Sequence, residues 1–263
     1  MPEAVQRFDD SAAYERFMGQ WSRAAGVVFL DWAAVPPNAR WLDVGCGTGI
    51  FTELVLDRCA PTAVTAVDPS AAQIEHAARQ PVGQHTAFEV ADARALPFAD
   101  AAFDVVASAL VINFVPDRPL AIREMRRVAR AGGHVLGYVW DFEAELSPSW
   151  PVRVGMRRVG MDAPPAPGSK DSTLAALRSL FEAAGFVDIA TTTIDVTVPF
   201  TGFDDFWTAQ TPGYSPTTKA IDAMTERERA RLIEAVKSAL PIAADGTIAY
   251  AARANAIKAR VPA

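Results

Sequence analysis

An acidic residue standing just ahead of three alternate glycines, Asp43-Val44-Gly45-Cys46-Gly47-Thr48-Gly49, is the arrangement in this chain best suited to chemistry. An apolar run precedes it, and a helical pattern over residues 50–59 follows. Strand, tight turn and helix together build a nucleotide-binding crevice. Gly45 and Gly47 can adopt positive φ and let the backbone approach a ligand, while the helix start offers unpaired N–H donors. The spacing discriminates between ligands. A dinucleotide fingerprint reads G-x-G-x-x-G, with its third glycine beside a pyrophosphate. Here the pattern is Gly45-x-Gly47-x-Gly49, and Ile50 stands where that last glycine would be. Asp43 would repel a pyrophosphate and welcome an amino group. These residues predict a nucleoside carrying a cationic amino acid.

A second carboxylate follows at a useful distance. Asp68 lies 23 residues after Gly45 and closes a strand predicted over residues 63–67. At that spacing an acid receives ribose hydroxyls, and a carboxylate accepts two such charge-assisted bonds at once. The competing use is a cap for the helix over 71–79, which Asp68-Pro69-Ser70 would also suit.

Leu42-Asp43-Val44-Gly45-Cys46-Gly47-Thr48-Gly49 resembles the first motif of class I S-adenosylmethionine (SAM)-dependent methyltransferases. More narrowly, the chain resembles the small-molecule group related to ubiquinone- and menaquinone-biosynthesis methyltransferases, over roughly residues 8–141. The resemblance implies SAM as cofactor and S-adenosylhomocysteine as product. It implies that residues 14–22 fold over the cofactor, with Tyr14 and Trp21 at its methionine end; the same aromatic residues also suit packing of a helical arm. It assigns the glycine turn with Cys46 to cofactor binding, and Asp68 with Pro69 to the ribose. In the segment 91–98, Asp92 takes the adenine amino group, the backbone of Ala93 faces the ring, and Arg94 adjoins them. Ala109 completes the set at the end of the fourth strand, and Asn113 just beyond, near the transferable methyl, becomes a polar contact to cofactor or acceptor; the same residue also suits a turn.

The same chain alternates strands and helices through five strands by residue 140, which implies a parallel sheet with right-handed crossovers. A helix over 119–129 is expected to stop at Gly132-Gly133, with the fifth strand opening at His134. The family's closing elements map onto a helix over 173–184, a strand over 187–198 and a last strand near 247–257. The expectation is a Rossmann-like, seven-stranded, mostly parallel α/β sheet with helices on both faces. One domain spans 1–263: a helical arm (1–37), a SAM-binding core (38–141), and two insertions (142–172 and 200–240) that act as lids over the acceptor. Thr225-x-x-Glu228 reads as a capping box opening a helix in the second insertion.

Methyl transfer from a sulfonium needs alignment and exclusion of water more than covalent help. Electron-rich rings favour the sulfonium by cation–π attraction, and Tyr14, Trp21 and Trp140 are the candidates. No residue stands out as a general base. Of the histidines, His134 falls at the wrong end of its strand; Asp141 and Glu145, following the fifth strand, are better placed by sequence, and Asn113 is the other polar candidate near the reaction. The net charge of −6 argues against a nucleic-acid partner. Two cysteines without C-x-x-C spacing suggest neither disulfide nor zinc. No apolar run suggests a membrane span or leader, so a cytoplasmic protein with a small-molecule acceptor is expected. Oligomeric state leaves no mark on the sequence. Two other functions compete: a SAM-binding module without transfer, which the motifs also fit, and a nicotinamide oxidoreductase, against which Ile50 and Asp43 both speak.

Overall fold

A computed structural model describes residues 15–166 and 168–263; Tyr14 lies outside them. A π-helical turn (Glu15–Gly19) leads into α1 (Gln20–Ala33), then β1 (Arg40–Val44), α2 (Ile50–Cys59), β2 (Ala63–Asp68), α3 (Ala71–Arg79), β3 (Ala87–Val90) and β4 (Phe103–Ala109). The chain continues through α4 (Arg118–Val128), β5 (Ala129–Trp140), α5 (Trp150–Arg158), α6 (Leu174–Ala183) and β6 (Val187–Phe200). It closes with α7 (Phe203–Gln210), α8 (Pro216–Asp222), α9 (Glu226–Lys237) and β7 (Ile248–Arg260).

The seven strands form one sheet in the order β3-β2-β1-β4-β5-β7-β6. Only β7 runs against its neighbours. Strand alternation decides which helix packs where. On β5, Leu136, Tyr138 and Trp140 join a core that includes α1 and α2, whereas Val135 and Val139 join a second core with α4 and α6. The strand order reverses between β1 and β4, so the loops after these two strands part and leave a crevice at the carboxyl edge.

Two local expectations change. Gly132-Gly133 do not end α4; the helix passes into β5 at Ala129, and both glycines lie inside that strand. Close backbone approach is the reason: a Cβ on Gly133 would stand 2.8 Å from the carbonyl oxygen of Arg130 and 3.0 Å from that of Asp104. The last two strands are also longer than their periodicity suggests. Trp140 is level with Ala254, and Ala254 with Ile194, so Asp195 to Phe200 and their partners run on past the end of β5. At ~3.3 Å per residue this ribbon overhangs the carboxyl edge by about 20 Å.

Both insertions gather on that overhang. Tyr250 donates its hydroxyl to the carbonyl of Pro148 at 2.6 Å, and the Trp150 indole N–H reaches that of Ala251 at 3.0 Å. The predicted capping box opens α9, with Thr225 and Glu228 each bonding the other's backbone N–H. Helix α9 packs on α5 through Leu232 and Val236, against Val152 and Met156. Gly155 makes the crossing close, since a Cβ there would meet Val236 Cγ2 at 2.3 Å. Gly155→Leu is therefore expected to cost about 1–3 kcal/mol by overpacking, read as a lower midpoint in thermal unfolding. An unchanged midpoint would show that the two helices part freely.

Candidate functional site

The glycine turn takes its shape from backbone that L side chains rarely adopt: φ is +83° at Gly45, +53° at Gly47 and +87° at Gly49. The Val67 carbonyl pins it to β2, accepting from the N–H groups of Gly45 (2.7 Å) and Cys46 (3.0 Å). Gly45 is crowded, for a Cβ would lie 2.5 Å from Val111 Cγ1, while a Cβ on Gly47 would meet nothing within 4 Å among the described residues. The turn thus presents an open backbone at Gly47, where a ligand can lie.

Three carboxylates approach this turn differently. Asp43, at the carboxyl end of β1, is 1% exposed. Its Oδ2 accepts the Thr52 hydroxyl at 2.6 Å, and its Oδ1 has no partner among the described residues. Burial pushes its pKa up to about 7, opposed by the Thr52 bond and assisted by the nearby Asp68 charge. Asp68, at the end of β2, accepts the N–H of Gly47 at 3.0 Å on Oδ2 and that of Ser70 at 2.9 Å on Oδ1. Burial raises its pKa, and these two bonds offset only part of the rise. Ser70, rather than Asp68, caps α3. Pro69 is exposed beside them.

The third carboxylate is engaged elsewhere. Arg94 donates to Asp92 from Nε at 3.0 Å and from Nη2 at 2.6 Å, and its backbone N–H adds a bond at 2.8 Å. Those bonds hold the Asp92 carboxyl below its usual range. The Ala95 N–H closes the turn onto the Asp92 carbonyl, and half-buried Ala93 packs on the core beneath.

Ser22, Gly45, Cys46, Gly47, Ala109, Leu110 and Tyr138 line a cavity of about 30 Å³ between the turn and the end of β4. That is room for one end of a ligand. The Cys46 thiol is buried, and burial together with Asp43 and Asp68 pushes its pKa well up, so it is not a nucleophile. Trp21 does not line this cavity. Its ring is buried against Trp140 (6.3 Å), Phe200 (6.5 Å) and Tyr250 (5.0 Å), because α1 turns that face toward the overhanging ribbon. Its neighbour Ser22 faces the turn instead. Asn113 is buried in a short 3-10 turn (Ile112–Phe114) beyond β4, its carbonyl accepting from Arg118 at 2.7 Å. Asp141 Oδ1 accepts the Ala144 N–H at 3.1 Å, shaping the turn after β5. His134 lies within β5 opposite Val105 and Arg260, far from the carboxyl edge.

A larger open groove of about 540 Å³ lies at the opposite edge, where α1 and α2 end around Asp31, Asp57 and Arg58. It contains neither glycine turn nor buried unpaired carboxylate, so size does not mark the site here. Thr52, Ser22 and Tyr138 join the candidate site only in the structure. Thr52 was legible in principle, as a polar residue in the first turn of the helix behind Asp43. The other two depend on how α1 and β5 meet in space.

Residues 42–137 match the sequence model of a family described as "Methyltransferase domain". A malonyl-[acyl-carrier protein] O-methyltransferase of Erwinia pyrifoliae is 38% identical over 143 residues, 52% of this chain and 53% of that protein. A demethylmenaquinone methyltransferase of Roseiflexus castenholzii is 37% identical over 103 residues, covering 39% of this chain and 43% of its own. The chain thus spans about half the length of the curated relatives it matches. Among solved structures, Haemonchus contortus phosphoethanolamine N-methyltransferase 2 in complex with S-adenosyl-L-methionine superposes with a TM-score of 0.60 at 20% identity. That superposition covers 99% of this chain and 59% of the other.

Proposed function

We propose that this chain, whose residues 42–137 match the model of a methyltransferase domain, is a class I SAM-dependent methyltransferase that binds SAM at the glycine turn and methylates a small molecule. Asp43 carries the reading: a buried carboxylate with one unpaired oxygen beside an open glycine backbone suits an ammonium group, not a diphosphate. SAM supplies an electrophilic methyl on a sulfonium. Asp43 Oδ1 would face its amino group, Gly47 leaves room for its chain, and Asp68 would share its remaining lone pairs with the ribose hydroxyls. Asp92 would receive the adenine amino group by giving up part of its hold on Arg94. The two insertions, 142–172 and 200–240, serve as the lid that excludes water and shapes the acceptor site.

Proton removal is assigned to no side chain. Asp141 already accepts a backbone N–H, and Asn113 is no base; its buried position suits orientation of the acceptor. The O-methyltransferase name of one relative supports an oxygen acceptor. Transfer is tested by incubating the protein with methyl-labelled SAM and a panel of phenols, quinols and carboxylic acids. Label in any organic product supports the reading, and binding without transfer to any class would leave a SAM-binding module.

Asp68→Ala is expected to weaken SAM binding by about 1–3 kcal/mol, the cost of leaving polar groups unpaired. Calorimetric titration of the variant measures this. An affinity equal to the wild type would remove Asp68 from the ribose site.

A further inference from the structure

In and beneath the second insertion, polar groups are buried with no partner among the described residues. Gln210, the last residue of α7, is 3% exposed, and neither its Oε1 nor its Nε2 has a hydrogen-bond partner among the described residues. The indole N–H groups of Trp21 and Trp140 are in the same condition. Trp21 and Trp140 belong to one aromatic cluster, and Gln210 shares a helix with a member of it, Phe206. The Trp21 and Trp140 rings meet edge to face at 6.3 Å, and Tyr250 lies 5.0 Å from Trp21. Phe206 packs on Tyr250 at 5.7 Å and on Phe200 at 5.5 Å. Gln210 stands one helical turn after Phe206, on the same buried face of α7.

A primary amide offers two donors and two acceptor lone pairs, and buried polar groups in folded proteins are ordinarily satisfied. Trp140 ends β5 at the carboxyl edge, so the cluster adjoins the crevice at the strand ends. We propose that Gln210, Trp21 and Trp140 form the polar lining of the acceptor site, and that the acceptor is an uncharged molecule bearing a carbonyl or hydroxyl oxygen on an apolar body. Donors outnumber acceptors among the three side chains, which selects an oxygen. None carries a charge, and burying an unpaired ionised group costs far more than burying a neutral one. The inference rests on the methyltransferase reading, and it makes these residues specificity-determining for that reaction.

Three fragments that share a ring and differ in the polar head test it: benzamide, benzoate and benzylamine, each titrated into the protein saturated with S-adenosylhomocysteine. Benzamide is expected to bind the wild type in preference to the other two. Gln210→Met should weaken it about tenfold, and Trp140→Phe, which keeps the ring and removes the N–H, should weaken it as well. Without any ligand, Gln210→Met should melt about 2–4 °C higher than the wild type, because an unsatisfied amide gives way to an apolar chain of similar size. The proposal is overturned if Gln210→Met melts lower, if it binds benzamide as well as the wild type does, or if the wild type prefers a charged fragment or binds none. Titration of S-adenosylhomocysteine alone reports separately on the methyltransferase reading, since the melting shift of Gln210→Met does not depend on it.

Discussion

At pH 8 the Asp43→Asn variant is expected to be more stable than the wild type by about 1–3 kcal/mol, and to lose that advantage near pH 4. The reason is the Asp43 pKa, which burial raises from 3.8 to about 7. Below pH 4 the carboxyl is protonated in both the folded and the unfolded chain, and the shift has no effect. As pH rises toward 7 the unfolded chain gives up its proton and the folded one keeps it, so stability falls. Above 7 the full cost is present, on the order of 4 kcal/mol for a shift of this size. Asparagine carries no charge and still accepts from Thr52. Its amide nitrogen, in the place of Oδ1, lacks a partner and costs about 1–3 kcal/mol, which leaves the stated net gain. Thermal unfolding of both proteins from pH 4 to pH 8 checks the crossover, and a variant less stable at pH 8 would contradict it. The same carboxylate couples to the ligand. An ammonium group favours ionised Asp43, so SAM should bind the wild type more tightly as pH rises from 6 to 8, while Asp43→Asn binds weakly throughout.

Two glycines of one turn should fail in different ways. Gly45→Ala sets a Cβ 2.5 Å from Val111 Cγ1 on a backbone with φ of +83°. Left-handed strain and overpacking together make it about 2–5 kcal/mol less stable. At Gly47 an added Cβ meets no atom of the described residues within 4 Å. In Gly47→Val, strain at φ +53° costs about 1–2 kcal/mol, yet the side chain fills the space proposed for the cofactor, so SAM binding should vanish from a folded protein. Melting curves and calorimetry on the two variants separate the effects. A Gly47→Val protein that binds SAM normally would remove Gly47 from the site.

The turn itself was legible because its determinants are local. Gly45, Gly47 and Gly49 announce backbone that only glycine adopts readily, and Asp68 follows at a distance one βα unit sets. The strand pattern of Ile194, Val196 and Val198, and the Thr225–Glu228 capping box, were equally local and equally readable. What could not be read depends on long-range contact. Whether Asp92 points at a ligand or at Arg94 is a choice of side-chain rotamer that spacing does not encode. Gly132-Gly133 look like a helix stop, yet Gly133 serves a close approach to Asp104, nearly thirty residues away in the chain. For Trp21 the resemblance gives a place at the methionine end of the cofactor and the aromatic pattern gives packing of the arm; the packing is what long-range contact supplies, through the overhang of β6 and β7. Gln210 gave no signal at all, since nothing in its neighbourhood says that its amide is buried.

Calorimetric titration of the purified protein with SAM, S-adenosylhomocysteine and NADH tests the central claim most directly. The account predicts saturable binding of both adenosyl ligands and none of NADH. Binding of NADH alone would contradict it, for then the turn beside Asp43 would be accepting a pyrophosphate.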